Sequence, residues 1–143
     1  MWRRTLDGWG YSPLDQIDAG NVAQLELVWS HPLGPGIQEA TPLIQDGVMY
    51  VPNHGDYIQA FDAASGDVLW EYRRELPEGV GGDTNRNIAI WGNLIINSGS
   101  DNVVYALDRE TGEPVWETPV FDDPALRAST SGGPIVADGR VIS

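Results

Sequence analysis

Ala60-Phe61-Asp62-Ala63-Ala64-Ser65-Gly66-Asp67-Val68-Leu69-Trp70-Glu71 occurs in this chain a second time, as Ala106-Leu107-Asp108-Arg109-Glu110-Thr111-Gly112-Glu113-Pro114-Val115-Trp116-Glu117. Ala, Asp, Gly, Trp and Glu return at an offset of 46, with conservative exchanges at most positions between them. The interval reaches well past the motif. Turn pairs Asp46-Gly47, Gly92-Asn93 and Asp138-Gly139 keep it, and Pro42 stands two intervals before Pro134. A sustained period of this length, with one Gly-rich turn and one Trp per unit, belongs to propeller or solenoid repeats.

Local chemistry identifies the unit. Asp62 and Asp108 are placed to bind backbone N–H groups a few residues on, and Gly66 and Gly112 supply the positive φ of a tight turn. Apolar runs flank that turn. Within one unit the sequence predicts four short strands, over 40–45, 48–52, 57–61 and 67–71. Short strands between turn signals indicate an all-β fold, and four strands repeated radially make a propeller blade. Tandem hairpins of a sandwich are the alternative, against which the in-register repeat argues. Trp70 and Trp116 are expected in equivalent packed positions between neighbouring blades.

The expected organisation is a leader over 1–36, a blade over 37–76, a second over 85–120 and a partial third over 129–143. A propeller closes with typically 4–8 blades. The 143-residue chain holds two and part of a third, so it reads as an N-terminal piece of a longer protein. In the leader, Asp18 is expected to cap a short turn into Asn21-Val22. Leu25-Glu26-Leu27-Val28-Trp29 reads as a strand ending in Trp, an orphan fourth strand that would complete the last blade of a ring. The linker Glu78 to Asn87 is Gly-rich and reads as flexible, without a phosphate-loop pattern.

A net charge of −13 argues against nucleic acid and anionic membranes as partners. No apolar run approaches the length of a membrane-spanning helix, and no signal peptide is legible. Cysteine is absent, which removes disulfide and thiolate chemistry. His31 and His54 lack metal-ligand spacing and read as loop or surface residues.

Three further stretches resemble a known family. They are Tyr11-Ser12-Pro13-Leu14-Asp15-Gln16-Ile17 with Asn21-Val22 and Leu25, then Glu39-Ala40-Thr41-Pro42-Leu43, then Asn85-Arg86-Asn87-Ile88-Ala89. Together with the two Trp repeats they resemble the pyrroloquinoline quinone (PQQ)-dependent alcohol dehydrogenases, eight-bladed quinoprotein propellers. The resemblance covers essentially the whole chain. It implies that Glu39, Arg86 and Ser131 contact PQQ, a planar tricarboxylate quinone. A guanidinium offers such a ligand paired donors, a hydroxyl donates to a carboxylate, and a nearby carboxyl must accept a hydrogen bond or carry a proton. Taken singly, the same residues read as a solvated salt bridge, a strand-edge carboxylate and a turn hydroxyl.

The resemblance further implies a periplasmic enzyme oxidising a primary alcohol to an aldehyde. It implies Ca²⁺ or a lanthanide as the metal and a cytochrome c as electron acceptor. Its metal ligands and catalytic aspartate fall beyond Ser143, so no catalytic or metal-ligating residue is assigned within the chain, which is expected to be inactive alone. Many members carry an adjacent cysteine pair where this sequence has Val80-Gly81-Gly82. A non-catalytic propeller scaffold of the outer-membrane assembly type and a quinoprotein sugar dehydrogenase are the competing readings. Periodicity adds one expectation of its own. Glu39, Asn85 and Ser131 are 46 apart, with Arg86 one residue beyond, so all four enter the first strands of successive blades and should gather at one end of the axis.

Overall fold

The computed structural model describes residues 12–123 and 132–143. Among these, ten strands and a single 3-10 turn at Val22–Gln24 account for the regular structure. Strands β1 (Leu43–Gln45), β2 (Val48–Asn53), β3 (Tyr57–Asp62) and β4 (Val68–Arg73) form an antiparallel sheet in sequence order. Strands β5 (Ala89–Trp91), β6 (Leu94–Ser98), β7 (Val103–Asp108) and β8 (Pro114–Pro119) repeat it, and β9 (Ile135–Ala137) pairs with β10 (Arg140–Ile142) in a third sheet. The repeat holds to the level of irregularities. A register shift follows Ala60 on β3 and Ala106 on β7, with Trp70 opposite the first and Trp116 opposite the second.

The turns explain the pairing. Asp46-Gly47 and Asp138-Gly139 both take positive φ throughout, the two-residue hairpin geometry whose twist matches that of the strands. In the longer turns Asp62 Oδ1 accepts the N–H groups of Ala64 and Ser65 at 2.9 and 2.8 Å. Asp108 Oδ1 does the same for Glu110 and Thr111, both at 2.9 Å. Gly66 (φ 78°) and Gly112 (φ 76°) close these turns as the sequence predicts.

Side chains alternate across the central strands, so one strand serves two interfaces. Ile95, Tyr105 and Leu107 join Tyr50, Ile58, Ala60, Trp70 and Ile88 in a core between the first and second sheets. Ile96, Val104 and Ala106, their neighbours in sequence, face the third sheet with Ala89, Leu94, Trp116, Val136 and Val141. Each fully buried Ile or Leu contributes about 1.5–3 kcal/mol. The sheets are thus stacked blades, and the fold is a β-propeller's.

Trp70 binds the blades together from the outside. Its Nε1–H donates to the Arg109 carbonyl at 3.0 Å, and its ring lies where a Cβ on Gly112 would stand 2.7 Å away. Trp29 makes the same seat one unit earlier, donating to the Ala63 carbonyl at 3.1 Å and covering Gly66. Trp116 keeps the strand position and packs on the third sheet as a half-buried ring.

The leader differs from expectation in one respect. Residues 25–29 form no strand. Leu27 and Val28 are 85% and 80% exposed, because no described strand lies alongside to complete a ladder. Trp29 nevertheless takes its blade-like seat and stacks on Phe61. The turn before it is as expected, with Asp18 Oδ1 accepting the Gly20 and Asn21 N–H groups. His31 lies in a loop, as expected, where it packs edge-on to Phe61 at 4.8 Å and is half-buried.

Candidate functional site

The segments entering the first strands meet one another. Thr41 N–H donates to the Arg86 carbonyl at 2.9 Å, and Gly133 N–H donates to Asn87 Oδ1 at 2.8 Å. Thr41, Asn87 and Gly133 are successive repeat equivalents, so the segments leading into the first strands meet along a common line, and β5 packs on β9. A crevice of about 270 Å³ between β5 and β9, lined by Ile88, Ile90 and Ile135, follows that line.

At this convergence Arg86 Nη2 stands 2.7 Å from Glu39 Oε2. The two side chains are 42% and 46% exposed. An ion pair this open contributes about 0–1 kcal/mol to stability, so its weight does not lie in holding the fold. Asn85, the repeat equivalent of Glu39, is buried, and its Nδ2 has no hydrogen-bond partner. Ser131, the third residue expected here, lies outside the described residues. Glu39 and Arg86 are thus in contact.

Antiparallel order places the turn between β2 and β3 at the same end of the sheet, together with the linker over 74–88. That linker is more constrained than its glycines suggest. Gly55 N–H donates to the Asp83 carbonyl at 3.1 Å, Asp83 N–H donates to Ser100 Oγ at 2.8 Å, and Ser100 N–H donates to Asp56 Oδ2 at 2.8 Å. A Cβ on Gly82 would stand 2.5 Å from the Gly55 Cα. The Val80-Gly81-Gly82 stretch therefore packs by close backbone crossing.

Beside it lies a charged cluster that sequence reasoning missed. Arg74 Nε and Nη2 both donate to Asp101 Oδ2, at 2.9 and 2.8 Å, and Nη1 donates to Glu117 at 2.9 Å. The guanidinium lies 5.1 Å above the Tyr105 ring. Asp56 is buried next to this group, and burial raises its carboxyl above the ordinary value. The Ser100 hydrogen bonds oppose the rise and Asp101 adds to it. One signal was available: Asp56 and Asn102 are repeat equivalents, and both take positive φ, at 54° and 62°. On the outer side Tyr57 is pushed up to about 12 by burial and by its hydrogen bond to Glu71. His54 is half-buried in the wall of a cleft of about 350 Å³ with Tyr57, Arg73 and Gly82.

Chemically, the convergence point offers a guanidinium paired with a carboxylate, contributed by two successive units. A guanidinium so placed suits an anionic ligand. Among the described residues no group of three or more His, Asp or Glu side chains is gathered to hold a metal ion, and no helix is long and apolar enough to cross a membrane.

Comparison with known proteins gives concordant matches. A family model described as the PQQ glucose/ethanol/alcohol dehydrogenase β-propeller domain matches residues 1–117. The quinoprotein alcohol dehydrogenase PedH of Pseudomonas putida is 35% identical over 96% of this chain, which spans 24% of that protein. The 1-butanol dehydrogenase (cytochrome c) of Thauera butanivorans is 37% identical over 94% of the chain, which spans 20% of it. The solved quinohemoprotein alcohol dehydrogenase ADHIIG of Pseudomonas putida HK5 superposes with a TM-score of 0.83 at 34% identity, covering 92% of this chain and 20% of its own. The chain thus spans a fifth to a quarter of the length of these relatives.

Proposed function

The chain belongs to the PQQ glucose/ethanol/alcohol dehydrogenase β-propeller family, and from that membership we propose that it forms part of a quinoprotein oxidising a primary alcohol to an aldehyde. The carrying observation is the Glu39–Arg86 pair at the convergence of the first strands. PQQ, when bound, supplies the two-electron acceptor. Arg86 would hold one of its carboxylates or quinone oxygens through the guanidinium fork, with Glu39 fixing the fork's orientation. Ser131 would add a hydroxyl donor. The donor set fits the group: a cation held at 2.7 Å by a carboxylate, next in sequence to a buried Asn85 amide that no described acceptor satisfies. The metal, Ca²⁺ or a lanthanide, would be ligated elsewhere in the full-length protein. A cytochrome c acceptor and a periplasmic location complete the proposal.

Titration of full-length apo-protein with PQQ tests it. Losing a charged hydrogen-bonding partner costs about 1.5–3 kcal/mol, so Arg86→Ala should weaken binding roughly 10- to 100-fold. Arg86→Lys keeps the charge and loses the fork, and should fall between. Equal affinity in wild type and both variants would reduce Arg86 to a surface ion pair and favour a non-catalytic scaffold.

A further inference from the structure

No ladder covers the chain between the end of β4 at Arg73 and the start of β5 at Ala89, yet Arg86 sits in this stretch. It is fixed by a ring of hydrogen bonds. Asp56 Oδ2 accepts the Ser100 N–H, Ser100 Oγ accepts the Asp83 N–H, and the Asp83 carbonyl accepts the N–H of Gly55, the residue before Asp56. The ring therefore closes on itself through the β2–β3 turn, the linker and the β6–β7 turn. It ties the linker to both sheets at one point.

Gly82 is the residue that lets the strands of this ring approach. Its φ is not left-handed, so glycine is required there for space alone. A side chain would meet the Gly55 Cα at 2.5 Å and its nitrogen at 3.3 Å, both rigid backbone. Gly81, one residue earlier, has nothing within 4 Å of a built Cβ. Three residues past Asp83 the Arg86 carbonyl is caught by Thr41. The arginine is thus held between two anchors, of which only the first depends on side chains.

We propose that Asp56, Ser100 and Gly82 are positioning residues for Arg86, setting the place of its guanidinium and thereby the affinity for PQQ without touching the cofactor. This rests on the assignment of Arg86 to PQQ. A half-exposed arginine must be delivered to within about 0.5 Å of its productive place by the backbone beneath it. Asp56 suits the hub because its carboxylate lies inside the protein, where a hydrogen bond is strengthened by low dielectric.

The test is PQQ titration of full-length apo-protein by fluorescence quenching, with melting temperatures measured on the same samples. Ser100→Ala and Gly82→Ala should each weaken PQQ about 3- to 10-fold. Ser100→Thr, which keeps the hydroxyl, should restore affinity, and Gly81→Ala should bind as wild type does. In an Arg86→Ala background Ser100→Ala should cost nothing further, because both act through one side chain. Wild-type affinity in both Ser100→Ala and Gly82→Ala, beside a loss in Arg86→Ala, would overturn the inference and leave the cofactor assignment standing. So would a Ser100→Ala loss of equal size with and without Arg86, whatever the change in melting temperature. Wild-type affinity in Arg86→Ala would overturn the assignment and this inference with it.

Discussion

Asp56 and Asn102 occupy the same left-handed turn position in successive blades, and of the two only Asp56 can titrate. Burial raises the Asp56 carboxyl, with Asp101 adding to the shift and Ser100 and Arg74 opposing it. Above about pH 4 the unfolded chain has released a proton that the folded protein still holds. Stability therefore falls as pH rises from there through the folded value. Asp56→Asn abolishes this loss, and its amide oxygen can still accept the Ser100 N–H. The melting temperature of the variant relative to wild type should rise as pH increases above about 4. A constant difference would mean that Asp56 titrates alike in both states. Glu39 and Arg86 were legible as a site only through their motif contexts, since neither residue alone departs from an ordinary surface pair. Ser100 and Arg74 carry no such context. Their roles depend on which turns meet in space, and a one-dimensional reading does not contain that.

At the scale of the element, hairpins were the most legible feature because Asp-Gly and Asp-x-x-x-Gly turns fix strand pairing locally. The predicted strands 48–52 and 57–61 end within one residue of β2 and β3. Leu25 to Trp29 was not legible in the same way. A strand is a relation to a neighbour, and its apolar composition says nothing of whether one is present. The Gly-rich linker failed for the opposite reason: composition reports backbone freedom and not the Gly55 backbone that Gly82 crosses. The tryptophan seats allow a sharp comparison. Gly47 and Gly112 both have positive φ, but only Gly112 faces an indole. Gly112→Ala should cost about 2–4 kcal/mol from strain and overpacking together, and Gly47→Ala about 1 kcal/mol from strain alone. Urea denaturation of the two variants checks the order. Equal losses would show that the Trp70 ring yields freely.

For the whole molecule, each described four-stranded sheet ends in two edges, β1 and β4 in one and β5 and β8 in the other. Exposed Leu25, Leu27 and Val28 add apolar surface in the leader. Unpaired edges template association. Expressed by itself, the 143-residue chain should self-associate at micromolar concentration and show no PQQ-dependent dye reduction with Ca²⁺ supplied. Light scattering of a monodisperse monomer, or measurable turnover, would contradict this.

The tryptophan seats also set an order in time. Trp29 reaches a carbonyl 34 residues ahead of it, and Trp70 one 39 residues ahead. On a ribosome adding about 5–20 residues per second, the acceptor for each indole is made roughly 2–8 s after the indole itself. Trp29 and Trp70 therefore each leave the exit tunnel before the carbonyl that fastens them, and the growing chain is locked from behind by the next unit to emerge. A pause in translation with Trp70 outside the tunnel and Arg109 still inside it would hold the first blade unlatched for as long as the pause lasts, and limited proteolysis of stalled chains should cut there until Arg109 has emerged.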